Sequence, residues 1–205
     1  MKRYTRFALI LLTLLLTIPA GCATTGAAKT EVKTPKYVFL FIGDGMGPKH
    51  VAIAEAFQKA TTGKPLAMTA LPVRGELTTR CANKPVTDSA AAGTALACGT
   101  KTNYQVLGID PKGKKLTSVA TLAKAAGMRV GITTSVTLNH ATPASFYAQS
   151  KSRNLLDDIA KQLPGSKFDF FAAGGIGAQK LKPDAIYKLY RDAGYSVVFG
   201  REGLA

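Results

Sequence analysis

Continuous apolar runs alternate along the chain with stretches whose apolar positions recur every three to four residues. Residues 37–42, Tyr-Val-Phe-Leu-Phe-Ile, form such a run, closed by Gly43. Apolar on both faces, it predicts a strand buried inside a parallel sheet. Residues 49–60 carry a weaker period through Val51, Ala54 and Phe57 and predict a helix. Residues 73–79 predict a second, more polar strand. Residues 89–98 are alanine-rich and stop at Gly99, as a helix with a glycine terminator would. Residues 117–126 predict a further helix, with Thr117 or Ser118 at its start and Gly127 at its end. A strand over 128–134, a helix over 154–163 halted by Pro164, and a strand over 168–172 follow. A helix over 183–193 has Pro183 in its first turn, and a last strand covers 195–199. This alternation predicts an α/β fold, a mostly parallel sheet with helices on both faces. Ligands in such sheets sit at the carboxyl ends of strands, which here means the loops after Ile42, Thr79 and Thr134.

The N-terminus reads differently. Lys2, Arg3 and Arg6 precede the apolar residues 7–16, and then comes Ile18-Pro19-Ala20-Gly21-Cys22. Basic start, apolar stretch and small residues make an export signal. The small residues directly before Cys22 resemble the bacterial lipoprotein signal, in which cleavage leaves that cysteine as a lipid-modified N-terminus on the membrane. The alternative is an ordinary signal peptide with an incidental cysteine. Residues 22–35, CATTGAAKTEVKTP, are too small and polar to pack and predict a flexible tether. The expected organisation is a signal peptide over 1–21, a tether over 22–35 and a folded domain over 36–205, exported and held at the periplasmic or cell surface.

Composition narrows the partners. The 205 residues include 27 Lys and Arg against 12 Asp and Glu, a formal net charge of +15. The basic residues are scattered with few aromatics between them, which suits a solvated surface rather than a nucleic-acid track, and no nucleic-acid partner is expected. At 46% hydrophobic and 19% charged, the bulk of the chain can bury a core. Three cysteines make no disulfide framework, although Cys81 and Cys98 could pair in an exported protein or remain free.

Three segments carry candidate chemistry. Gly43-Asp44-Gly45-Met46-Gly47 follows the first expected strand. Its glycines permit a tight turn and close backbone approach, and Asp44 at a strand end is a common kind of metal ligand. A plain strand-to-helix turn would look the same. Thr87-Asp88-Ser89-Ala90-Ala91-Ala92-Gly93-Thr94 places Ser89 at the opening of the alanine-rich helix. A helix N-terminus favours anions and an activated hydroxyl, although a capping residue is the commoner explanation. The chain holds only two histidines, His50 and His140, and lacks a Gly-x-Ser-x-Gly elbow. A nucleophilic Ser89 would therefore need a metal to activate it. Asn139-His140-Ala141-Thr142-Pro143-Ala144 sets His140 and Thr142 two apart, on the same side of an extended segment, where both could face one ion. Arg153 follows, a surface charge by itself and a bidentate clamp near a phosphate.

Together, F-I-G-D-G-M-G, T-D-S-A-A-A-G-T-A with C-G-T-K-T-N, N-H-A-T-P-A-S-F and S-R-N resemble the alkaline phosphatase family, in that order and at suitable intervals. The resemblance covers residues 36 to about 160 well and continues more weakly through F-D-F-F-A-A-G-G. It implies hydrolysis of phosphate monoesters through a phosphoserine at a zinc and magnesium centre, in a protein that can form a homodimer. By that resemblance Ser89 is the phosphorylated nucleophile and a zinc ligand. Arg153 binds the phosphate, and Asp88 orients it. Asp44 bridges a zinc and the magnesium, while His140 and Thr142 stand around the third metal. The family's remaining zinc ligands, histidines among them, belong to a later part of its sequences, and no histidine follows Arg153 here. The chain is thus expected to be an N-terminal part of the catalytic domain, apparently truncated, with impaired activity. A phosphodiesterase or sulfatase relative, or an inactive membrane-tethered anion-binding fragment, are the alternatives.

Overall fold

A computed structural model describes residues 35–204. The signal peptide, Cys22 and the tether up to residue 34 lie outside the described residues. The described residues divide at Phe41 and Ile42 into two units. In the first, the described residues form no strand, and the side chains from Tyr37 to Phe41 are exposed, Phe41 by 91%. The strand expected over 37–42 is therefore not formed. Apolar composition makes a segment fit for burial, but a strand also needs a neighbour to take its N–H and C=O groups.

The second unit is built from six α-helices and two strands. In chain order they are α1 (Pro48–Thr62), α2 (Ser89–Cys98), α3 (Val119–Ala125), β1 (Gly131–Thr133), α4 (Ala141–Ala144), α5 (Leu156–Gln162), β2 (Phe170–Ala172) and α6 (Pro183–Asp192). Short 3₁₀ turns cover Ala67–Ala70, Leu163–Ser166 and Glu202–Leu204. Local chemistry sets most helix ends. Pro48 and Pro183 open α1 and α6. Asp88 and Ser118 cap α2 and α3 through their side chains, and left-handed Gly63 and Gly99 close α1 and α2. His50 is accounted for here, since its Nδ1 accepts the Gly47 N–H, 3.0 Å away, at the start of α1.

β1 and β2 run parallel, Gly131 opposite Phe170 and Thr133 opposite Ala172. The α/β class and parallel pairing agree with the sequence. Residues 73–79 and 195–199, expected as strands, are irregular. Tyr195 nevertheless docks, its ring edge-on to Phe171 and its hydroxyl donating to the Phe168 carbonyl at 2.8 Å. The core gathers Leu107, Ile159, Leu163, Phe168, Ile186 and Tyr190, all buried.

The packing that matters for function is α2 against α4. Their facing residues, Ala90, Gly93, Ala141 and Ala144, are small and buried. A Cβ on Gly93 would stand 2.7 Å from Ser145 Oγ and 3.6 Å from the Thr142 Cα. Only a bare backbone permits this approach, which carries the Ser89 end of α2 toward Thr142.

Candidate active site

Asp44 lies in the turn before α1, where Met46 N–H donates to the Gly43 carbonyl and Gly45 adopts a positive φ of 69°. Its carboxylate accepts two hydroxyls. Ser89 Oγ donates to Oδ1 at 3.0 Å, and Thr142 Oγ1 donates to Oδ2 at 2.7 Å. Residues 45 and 98 positions away in sequence thus converge on one carboxylate.

Asp88, beside Ser89, is the N-cap of α2 and is nearly buried, its side chain 7% exposed. Oδ2 accepts from Arg153 Nη1 at 3.0 Å and from the Ala90 N–H, while Oδ1 accepts the N–H groups of Ala91 and Gln105. Burial pushes this carboxyl's pKa up, but the Gln105 and Ala91 N–H groups, the Arg153 guanidinium and the Ala90 N–H together outweigh it and hold it below the usual carboxylate value. Asp88 therefore stays charged beside a charged arginine.

Arg153 Nη2 stands 3.0 Å from His140 Nε2. Burial lowers the pKa of the imidazole, the Arg153 charge lowers it further, and Asp44 opposes them more weakly, which favours the neutral ring at pH 7. The guanidinium has no lone pair, so Nε2 must be the acceptor and Nδ1 must carry the proton. The Thr142 N–H also points at Nδ1, at a long 3.4 Å, and a neutral ring cannot accept at both nitrogens. The shorter contact takes precedence. The shared direction expected for His140 and Thr142 is not found. His140 stands extended at the residue before α4 and Thr142 is helical, so Thr142 turns to Asp44 while His140 turns to Arg153.

All six residues singled out by sequence thus fall into two linked clusters: Asp44 with Ser89 and Thr142, and Asp88 with Arg153 and His140. Sequence reasoning missed Gln105, whose peptide joins Asp88 to Arg153 and whose side chain gives no hint of it. It also missed Asn139. The buried Asn139 amide donates to the carbonyls of Leu156 and Gly177 and accepts from the Gly177 N–H, anchoring the segment that carries His140. Cys81 and Cys98 are both free thiols.

The alkaline phosphatase family profile matches residues 35–187, most of the chain and every residue of both clusters. The chain belongs to the alkaline phosphatase family. Alkaline phosphatase 4 of Bacillus subtilis is 34% identical over 190 residues, which are 87% of this chain and 41% of that one. Alkaline phosphatase of Escherichia coli is 34% identical over 161 residues, 75% of this chain and 34% of that one. Among solved structures, Thermus thermophilus alkaline phosphatase superposes with a TM-score of 0.70 at 33% identity, over 80% of this chain and 36% of that one. A histidine-to-glutamate mutant of the TAB5 alkaline phosphatase, with Mg bound in its M3 site, superposes at 0.65 with 26% identity, over 76% of this chain and 44% of that one. The chain therefore spans about two fifths or less of the length of these curated alkaline phosphatases.

The donor set can be weighed against the metals such enzymes carry. Asp44, Ser89 and Thr142 present oxygen only, the chemistry of a hard cation such as magnesium, whose remaining positions water commonly fills. Zinc favours nitrogen and sulfur and usually takes three or four protein ligands. Among the described residues, no three His, Cys, Asp or Glu side chains stand where one metal ion could take them all as ligands. These residues fit part of a magnesium site and do not by themselves make a zinc site.

Proposed function

We propose that this chain carries the nucleophile and phosphate clamp of a phosphate monoesterase that works through a phosphoserine at Ser89. The observation behind this reading is that Ser89 Oγ shares the Asp44 carboxylate with Thr142, while the Asp88–Arg153 pair stands one residue away. Ser89 opens a ten-residue helix, where backbone N–H groups and the helix dipole favour negative charge on an attacking oxygen and on the phosphoryl group. Arg153, held by Asp88, binds phosphoryl oxygens through its planar donors. Ser89 Oγ attacks phosphorus in line, the P–O bond to the alcohol breaks, and the alcohol leaves. Water then attacks the phosphoserine, releasing phosphate and restoring Ser89. Magnesium held by Asp44 and Thr142, when bound, supplies positive charge that offsets the charge of the phosphoryl oxygens.

Acid quenching of the full chain after reaction with a ³²P-labelled aryl phosphate, with zinc and magnesium supplied, tests this. Label on Ser89, lost in Ser89→Ala, supports the scheme. Label on another residue, or unchanged turnover in Ser89→Ala, overturns it. Turnover well below that of a full-length relative is the expected outcome, because the described residues do not assemble a zinc site by themselves. The same observation favours a second reading, anion binding without turnover, which phosphate uptake with no label on Ser89 would establish. An exported protein held by lipid on Cys22, and a homodimer, complete the proposal. A diacylglyceryl-modified N-terminus at Cys22 in membrane-extracted protein is the corresponding mass-spectrometric signature.

A further inference from the structure

Gln105 adopts a left-handed backbone conformation, φ 64°, which few residues other than glycine take without cost. Its surroundings leave it little choice. Tyr104 N–H donates to Asn83 Oδ1, and Leu107 and Ser150 exchange both backbone hydrogen bonds, so the chain is fixed on either side. Between these anchors the Gln105 peptide makes two contacts. Its N–H donates to Asp88 Oδ1 at 3.0 Å, and its carbonyl accepts the Arg153 N–H at 2.8 Å. One residue thus grips both partners of the half-buried ion pair, the carboxylate of one and the backbone of the other. Strained residues persist where the surrounding structure over-determines them, and they gather at sites where geometry matters.

We infer that Gln105 is a positioning residue for the phosphate clamp: its left-handed peptide holds the Asp88 carboxylate and the Arg153 backbone in one register, so that the guanidinium is fixed at the opening of α2. The inference rests on the reading of Arg153 as a phosphate ligand. It requires the N–H and the φ of residue 105 rather than its side chain. Gln105→Gly keeps both and should hold the guanidinium as the parent does. Gln105→Val, whose branched side chain resists positive φ, should release it.

Two measurements on the full chain test this. The first is the affinity for inorganic phosphate by calorimetry. Gln105→Val should bind about tenfold more weakly, the size of one lost hydrogen bond, and should have no further effect in an Arg153→Ala background. The second is the ¹⁵N spectrum of the Arg153 Nη groups, which reports rotation of the guanidinium without any ligand. Rotation should be slow in the parent and in Gln105→Gly, and fast in Gln105→Val. Unchanged Nη rotation in Gln105→Val overturns the inference. No phosphate binding by the parent, or an Arg153→Ala variant that binds phosphate as well as the parent, overturns the reading of Arg153 instead, and the Nη signals still decide the role of Gln105. If Gln105→Val does not fold, replacing the 104–105 amide by an ester removes the N–H alone, and the same criteria apply.

Discussion

A carboxylate withdrawn from water must collect its hydrogen bonds from whatever backbone faces it. Asp157, at the start of α5, accepts the Gln179, Lys180 and Leu181 N–H groups at 3.0, 2.8 and 3.1 Å. The Gln179 and Lys180 N–H groups lower its pKa most, burial opposes them, and the Leu181 N–H and the Lys161 charge lower it further, leaving the carboxyl below its ordinary value. The sign of the linkage follows. A depressed carboxyl contributes stability that is complete above the unfolded value, about 3.9 for an aspartate, and is lost as pH falls through the lower folded value. Amide exchange of residues 179–181, corrected for intrinsic rate, should therefore accelerate only as the pH falls below that value. Asp157→Asn should exchange faster at neutral pH and lose the acid dependence. The same acid dependence persisting in Asp157→Asn would refute the assignment to this side chain.

Between α2 and α4 the tolerance is tight at Gly93. Alanine there would gain about 1 kcal/mol of helix propensity. Its Cβ would also meet Ser145 Oγ at 2.7 Å and Ser145 Cβ at 3.2 Å, and Ser145 is buried and bonded to the Ala141 carbonyl. Overpacking of this kind costs about 1–3 kcal/mol, so the clash should win. Gly93→Ala should lower the melting temperature, and Ser145→Ala, which removes the nearer atom, should restore part of the loss. A Gly93→Ala variant more stable than the parent would show that the helices can separate freely. This contact also marks where the sequence stops being legible. Helix positions were readable because their causes are local: Ser118 as a cap, Pro183 at a first turn, Gly99 as a terminator. The runs at 37–42, 73–79 and 195–199 have strand composition yet stay irregular, because a strand depends on a partner that no local pattern specifies. Among site residues, Asp44, Ser89, Asp88 and Arg153 stood out through side-chain chemistry in recognisable motifs. The direction of His140 turned on an unforeseen four-residue helix, and Gln105 acts through backbone, which leaves no trace in a side-chain pattern.

At the scale of the whole molecule, two opposing forces act on its surface. Val73, Leu77, Val86, Leu122 and Phe170 are exposed, Val73 by 83%. Burying one such side chain fully against another surface gives about 1.5–3 kcal/mol, so a second copy that covers several of them would associate weakly. The excess of basic over acidic residues, +15 over the full 205 residues, opposes this, since like-charged copies repel over distances that salt shortens to about 10 Å at 0.1 M. The balance predicts self-association that strengthens with ionic strength, the reverse of an assembly held by ion pairs. Sedimentation at increasing salt should show the mean mass rising, and a dye that binds apolar surface should fluoresce with the native chain at low salt, where the copies stay apart. Replacing Val73 and Leu77 by Thr and Ser should reduce both signals while leaving the Asp44–Ser89–Thr142 cluster untouched. A chain that stays monomeric at all salt concentrations and binds no dye would mean that these side chains are covered in solution.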